Sequence, residues 1–264
     1  MKNGDLILLD FTAKVKDTGD LIETTIEDEA KKTGNNDTDS VFKPKLVAIG
    51  EGWVLKGLDE ALVEAEIGKQ INVQIEPEKG FGTRDSSKTR LIPLRKFRDR
   101  ADQLNVGAEI EIDGRIGIVR FIGSGRAQID FNHRYAGRTI EYSFNIVKKI
   151  EDDKEKIQEI IDRRIPDGKE KTVVNIEQNI VTISIPEEYF LLEGLQIIKR
   201  ATSNEIMKYV ENVVEISFTE KFKNTKNVKD TNNEQSEVIE EVKDTNNEQS
   251  EVIEEVKDTG VNES

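Results

Sequence analysis

The stretch from residue 50 to residue 82, GEGWVLKGLDEALVEAEIGKQINVQIEPEKGFG, constrains this chain more than any other. Gly50 and Gly52 bracket the approach to Trp53, and Val54-Leu55-Lys56-Gly57 leads into a short helix expected over 58–65, which Gly68 stops. A strand follows with Ile71, Val73 and Ile75 on one face, ending at Pro77. Glu78-Lys79-Gly80-Phe81-Gly82 closes the unit with a glycine-flanked aromatic. Val54-Leu55 and Phe81 therefore stand at opposite ends of one small unit with a helix between them. That arrangement can set an apolar floor and an aromatic wall against a single pocket.

The run VLKGLDEAL, then IGK, then IEPEKGFG resembles the FKBP-type peptidyl-prolyl isomerases. Their pattern is a Val-Ile/Leu-x-Gly-Trp/Leu turn, a short helix, and a strand ending in Pro-x-x-x-Tyr/Phe-Gly. Further on, Asn132-His133-Arg134-Tyr135-Ala136-Gly137 resembles the Asn-His-x-Leu-Ala-Gly motif, with Tyr135 in the usual Leu place. Together these narrow the resemblance to the SlyD-like branch and, from the rest of the chain, to its long archaeal form. The fold it implies is α+β: an antiparallel half-barrel sheet wrapped on a short helix, a small β domain inserted in the flap, and an α/β two-layer sandwich at the C-terminal side. The implied division is an isomerase domain over 1–83 and 130–150, an inserted domain over 84–129, a C-terminal domain over 151–222 and a tail over 223–264.

Residues 5–16 form a strand with Leu9, Phe11, Ala13 and Val15 on one face, Asp17-Thr18-Gly19 a turn, and Leu21 to Thr25 the start of the next strand. One or two helical turns are expected over 27–32, a polar loop over 34–40, and a strand over 46–49. Leu91-Ile92-Pro93-Leu94 precedes a basic stretch of helical character ending near Phe97. Residues 109–122 alternate about an Asp113-Gly114 hairpin turn, and Gly123-Ser124-Gly125 leads into another strand. Residues 140–150 close the sheet. A helix over 152–165 with Asp152-Asp153 at its start ends at Pro166-Asp167-Gly168, followed by a hairpin across Gln178-Asn179, a helix over 191–210, and a strand through Val214, Ile216 and Phe218.

From residue 223 the composition changes. KDTNNEQSEVIEEV at 229–242 recurs identically at 243–256, and the region carries 5 Lys against 12 Asp and Glu, half of the chain's net charge of −14. Two polar copies are too few to stack into a solenoid, so a disordered acidic tail is expected.

The inventory excludes much chemistry. Without cysteine there is no disulfide or thiolate metal site, and with His133 as the single histidine there is no histidine cluster. No phosphate loop or dinucleotide fingerprint is present. Neither metal nor cofactor is expected. A net charge of −14 argues against a nucleic-acid partner. The apolar run from Leu6 to Leu9 falls short of the ~7–15 residues of a signal-peptide core, and no run approaches the ~20 of a membrane span. The expectation is a soluble cytoplasmic protein with no membrane partner.

Rotation about a Xaa-Pro bond needs no acid, base, metal or cofactor. Its barrier is ~18–20 kcal/mol, set by lost amide resonance. The twisted amide has less charge separation than the planar one, so an apolar pocket disfavours the planar ground state relative to it. A ~10⁶-fold acceleration requires ~8 kcal/mol, within reach of several apolar walls and one or two hydrogen bonds.

The resemblance assigns the pocket position by position. Phe11 stands where a Tyr is usual, and Ile22-Glu23 for the usual Phe/Leu-Asp pair. Val54 and Leu55 supply the turn whose backbone holds substrate, and Leu58 replaces the floor Trp. Phe81 takes the flap Tyr position and Tyr142 the aromatic position of the last strand, while Tyr135 and Ala136 border the pocket. Phe11 and Phe81 lack a hydroxyl and Glu23 is one methylene longer than Asp, which points to activity carried by shape and burial. Trp53 is either a rim contact for peptide or a lid on the barrel. Leu91, Ile92, Leu94 and Phe97 are either the core of the insert or an exposed patch for unfolded or nascent chains, since so small a domain struggles to bury all its apolar side chains. The expected function is prolyl isomerisation with chaperone activity; the alternative is a holdase with a weak or inactive isomerase site. Apolar residues on the 191–210 helix exceed what one sandwich face covers, which points to a homodimer through the C-terminal domain.

Overall fold

The computed structural model describes residues 1–33, 42–97, 104–165 and 167–222. The expected loop at 34–40, the residue Pro166 and the acidic tail lie outside the described residues.

Strands β1 (Leu6–Val15), β2 (Leu21–Thr24), β3 (Lys45–Ala48), β4 (Gln70–Ile75) and β9 (Ile140–Lys149) form a five-stranded sheet ordered β2-β1-β9-β4, with β3 also paired to β1. Every pairing in it is antiparallel. Helix α1 (Glu27–Lys32) follows β2, and helix α2 (Lys56–Glu64) lies on the sheet's concave face. Ile7, Leu9, Phe11 and Ala13 of β1 join Tyr142, Phe144 and Ile146 of β9, and Leu58 and Leu62 of α2, in one buried cluster. Gly57 permits the close seating of α2, since a Cβ there would lie 2.6 Å from Ile75 Cγ2.

A second sheet, ordered β5-β8-β7-β6, comprises β5 (Thr89–Pro93), β6 (Glu109–Ile112), β7 (Arg115–Gly123) and β8 (Arg126–Asp130). Both tight turns take left-handed backbone, Asp113 and Gly114 at φ 51° and 72° and Ser124 and Gly125 at φ 50° and 72°. That is the pairing of torsions that matches strand twist. β5 goes beyond the sequence reading, which left residues 89–93 unassigned. It is an edge strand, and Pro93 sits at its end, where a missing N–H costs no ladder bond. A 3-10 turn over 94–97 follows it. Phe97, Val119, Ala127 and Ile129 form the small core of this unit.

The third unit contains α3 (Asp153–Arg164), the short α4 (Gly168–Lys171), β10 (Val173–Glu177), β11 (Ile180–Ile185), α5 (Leu195–Tyr209) and β12 (Glu215–Glu220). Asp152 caps α3 by accepting from the Glu155 N–H at 2.8 Å. β10 and β11 form the hairpin expected across Gln178-Asn179, and β12 runs parallel to β11 after the α5 crossover. α5 starts at Leu195 rather than 191, because Gly194 at φ 74° breaks the run and a 3-10 turn occupies 187–189.

This third unit covers the back of the first sheet. Leu6 and Leu8 of β1, Leu46 and Ala48 of β3, and Ile150 are buried with Ile157, Ile160 and Ile161 of α3 and Ile206 of α5. β1 is therefore buried on both faces, which explains its unbroken Leu6-Ile7-Leu8-Leu9 run. Among the described residues no helix is long and apolar enough to cross a membrane.

Candidate functional site

The residues singled out from the sequence converge on the concave face of the first sheet. Phe11, Leu58 and Tyr142 are buried in its cluster, and Ile22, Val54, Leu55, Phe81 and Tyr135 pack against them. The rings of Phe11 and Tyr142 lie 5.7 Å apart at 39°. Ala136 is buried close by in the turn that carries Tyr135.

The turn before α2 is built by backbone demands. Leu55 caps the helix with extended torsions, and its carbonyl accepts from the N–H groups of Leu58 and Asp59, both at 2.9 Å. Among the described residues, the Leu55 N–H itself has no acceptor. The preceding Gly50-Gly52 loop is tied down by Asp59, whose carboxylate accepts from Gly50 N at 2.7 Å and Gly52 N at 3.1 Å. Both glycines take positive φ, 77° and 65°. The sequence reading missed Asp59; the available signal was a carboxylate in the first helical turn behind a glycine-paired loop.

Phe81 stands within an aromatic group. His133 stacks on it at 4.4 Å and 8°, and Tyr135 lies 5.3 Å away at 45°. His133 Nδ1 accepts from the Tyr135 N–H at 3.3 Å, so its remaining hydrogen-bonding edge is Nε2. The 133–137 turn is held to the Phe81 segment by Gly137 N donating to Gly82 O at 2.8 Å. His133, read from sequence as a turn residue, thus also supports the Phe81 wall.

Glu23, Ala13 and Tyr142 occupy one cross-strand row, Glu23 opposite Ala13 on β2–β1 and Ala13 opposite Tyr142 on β1–β9. Directly opposed residues share a sheet face, and Ala13 leaves space between its neighbours. Glu23 pairs with Lys45 at 2.8 Å, and the Lys45 ammonium lies 5.9 Å from the Phe11 ring centre. Burial, and then the Glu23 charge, push the Tyr142 phenol up to about 12. A cavity of about 750 Å³ shares Ile22 and Glu23 with the cluster but is otherwise lined mainly by Thr18, Asp20, Thr24 and Thr33. Its polar lining suits proline poorly, so the apolar cluster is the better candidate site.

Trp53 packs against both the pocket cluster and the cluster of the third unit, with the Arg163 guanidinium 3.7 Å from its ring centre and Tyr209 edge-on at 5.6 Å. The insert residues of the sequence reading are placed elsewhere. In the insert, Phe97 is 6 % exposed in the core, Ile92 and Leu94 pack partly against it, and Leu91 is 60 % exposed. Leu91 and Ile92 help line a cleft of about 370 Å³ with Ile112 and Phe131.

The insert joins the first unit through a polar clasp. Buried Asp130 pairs with Arg84 and, at 3.4 Å, with Arg120, and accepts from Asn132 N at 3.0 Å and Nδ2 at 2.7 Å. Asn132 also accepts from Asp85 N and donates to Asp85 O, both at 2.9 Å. Burial would raise the Asp130 carboxyl, but the Asn132 hydrogen bonds and the two guanidinium charges outweigh it and hold the group below the ordinary carboxylate range.

Comparison with known proteins agrees with this architecture. The family model of the FKBP-type peptidyl-prolyl cis-trans isomerases matches residues 1–96, that described as FKBP26, IF domain, matches 90–135, and that described as FKBP26_C-terminal matches 153–223. A short-type peptidyl-prolyl cis-trans isomerase of Methanocaldococcus jannaschii is 29% identical over 146 residues, covering 55% of this chain and 92% of the relative. A probable FKBP-type 16 kDa peptidyl-prolyl cis-trans isomerase of Pseudomonas fluorescens is 32% identical over 127 residues, covering 45% of this chain and 83% of the relative. The SlyD isomerase of Helicobacter pylori is 26% identical over 128 residues, covering 46% and 69%. The half-barrel and its helix fit the fold of the prolyl isomerases that these comparisons name. The chain belongs to the FKBP-type peptidyl-prolyl cis-trans isomerase family, in its SlyD-like form with an inserted domain and a C-terminal domain.

Proposed function

We propose that this protein isomerises Xaa-Pro bonds in unfolded or nascent protein chains in the cytoplasm, and that it holds those chains while it does so. The proline ring is gripped by Phe11, Ile22, Val54, Leu55, Leu58, Phe81 and Tyr142, with Glu23, Tyr135 and Ala136 at the border. The carrying observation is the convergence of these side chains, drawn from five separate segments, on one apolar cluster under the 133–137 turn. Such a pocket acts by burial and shape: it stabilises the less polar twisted amide relative to the planar one. The free Leu55 N–H adds a fixed donor at its edge.

In this reading residues 1–83 and 130–150 are the isomerase unit, 84–129 the client-holding insert, and 151–222 a covering unit. Exposed Leu91, Ile116 and Phe121 support the holding role. Replacing 84–129 by a short loop should leave tetrapeptide isomerisation intact, and abolish suppression of aggregation and fast catalysis on a protein substrate. Equal performance of both forms on an unfolded protein would refute the role of the insert.

A second reading is a holdase with a weak isomerase site. It is favoured by the Lys45 ion pair on Glu23 and by the absence of hydroxyls at Phe11 and Phe81. Self-association through the C-terminal unit would use Leu191, which is 98 % exposed, together with Ile197 and Phe222. Light scattering that finds the full chain monomeric at tens of micromolar would remove it.

A further inference from the structure

In the isomerase pocket one tyrosine hydroxyl has no protein partner among the described residues. Tyr142 is 5 % exposed, yet among the described residues its hydroxyl makes no hydrogen bond. A phenol so buried ordinarily finds an acceptor or donor. Its ring neighbour is Phe11, and Phe81 packs against the same cluster; neither side chain offers a hydrogen-bonding atom. Its row neighbour Ala13 has only a methyl group, which leaves the gap toward Glu23 unfilled and offers no hydrogen bond, and the Glu23 carboxylate is engaged by Lys45.

Resting on the isomerase reading, we propose that the Tyr142 hydroxyl is a catalytic donor that hydrogen-bonds the prolyl nitrogen of the substrate as the amide twists. In the planar amide the nitrogen lone pair is delocalised into the carbonyl and accepts poorly. In the twisted state it is localised on nitrogen and accepts well. The bond is therefore made in the transition state and not in the ground state, which is the condition for raising kcat. A donor to the carbonyl oxygen would instead favour the planar form, whose resonance puts charge there. No covalent bond to the substrate breaks and no proton is transferred; the phenol remains neutral throughout. Burial and the adjacent Glu23 charge keep it protonated across the physiological range. The hydroxyl stands idle in the free protein because its partner is the substrate.

The experiment compares the full chain with its Tyr142→Phe variant on a Xaa-Pro tetrapeptide, with kcat and KM measured separately. The substitution keeps the ring that packs on Phe11 and strands no protein group. The expected result is a fall in kcat of about tenfold with KM within about twofold. A kcat within twofold of the parent, or a loss carried by KM alone, overturns the proposal. A second arm replaces all tyrosines by 3-fluorotyrosine, which strengthens the phenol as a donor while leaving its shape nearly unchanged. It should raise kcat in the parent and not in Tyr142→Phe, and an unchanged kcat in the parent also overturns the proposal. An inactive parent would overturn the isomerase reading itself; an active parent with unaltered Tyr142→Phe kinetics overturns only the role of the hydroxyl.

Discussion

Asp59 offers the sharpest link between stability and the pocket. Its carboxylate is largely buried and accepts from two backbone N–H groups, Gly50 at 2.7 Å and Gly52 at 3.1 Å. Those bonds fix the loop that delivers Val54 and Leu55 to the pocket. A hydrogen bond to a charged group contributes about 1.5–3 kcal/mol, and both glycines are exposed enough for water to replace part of the loss, so the low end applies to each. Asp59→Ala should therefore cost about 3 kcal/mol. Asp59→Asn, which keeps one acceptor and turns an amide donor toward the other N–H, should cost about half as much. For a folded region of this size about 3 kcal/mol corresponds to a fall in Tm of roughly 6–12 °C. Because the loop moves with the Leu55 turn, kcat/KM on a tetrapeptide should fall in the same order, Ala below Asn below parent. Thermal melts and tetrapeptide kinetics on the three proteins check this. An Asp59→Ala protein with unchanged Tm and unchanged kcat/KM would refute the reasoning.

Two further outcomes follow from the packing and the electrostatics. Ending the chain at residue 150 uncovers Leu6, Leu8, Leu46 and Ile150; at about 1.5 kcal/mol each, the low end for a fully buried apolar side chain, the loss is about 6 kcal/mol, comparable with the whole stability of a domain. The truncated protein should aggregate or unfold at much lower urea, and a monodisperse species with the urea midpoint of the full chain would contradict this. The Asp130 carboxyl is held below its ordinary value of 3.8, so its contribution to stability is present above that value and lost as the pH falls through the depressed one. Asp130→Asn should lower Tm at pH 7 and converge on the parent below pH 3.8, whereas a constant difference across that range would show that the clasp does not depend on the charge.

Much of the fold was legible because local chemistry and tertiary structure agree. Asp113-Gly114 and Gln178-Asn179 adopt the positive φ that two-residue hairpins require, and Asp152 caps the helix it precedes. β5 was not legible, since Arg90-Leu91-Ile92-Pro93 has no alternation and its strand state depends on pairing with β8. The beginning of α5 was misread because Leu191 and Leu192 mimic a helical face before Gly194 interrupts it. The candidate pocket could be assembled from a resemblance, but its supports could not. The Asp59 bonds to Gly50 and Gly52, the His133 ring on Phe81 and the Arg163 group over Trp53 are contacts between segments that no local period connects. A signal for the third unit's position was present, however. Leu6 and Leu8 are as apolar as Ile7 and Leu9, and a strand apolar on both faces needs a cover on both.

Isomerisation of a short Xaa-Pro peptide, too small to engage the insert, directly tests catalysis at the apolar face of the first sheet. The full chain at catalytic concentration should accelerate the exchange, and Leu55→Ala and Phe81→Ala should each reduce kcat/KM at least about tenfold while folding normally, because each removes a wall of the pocket. No acceleration by the full chain, with suppression of aggregation intact, would contradict the account and leave a holdase in its place.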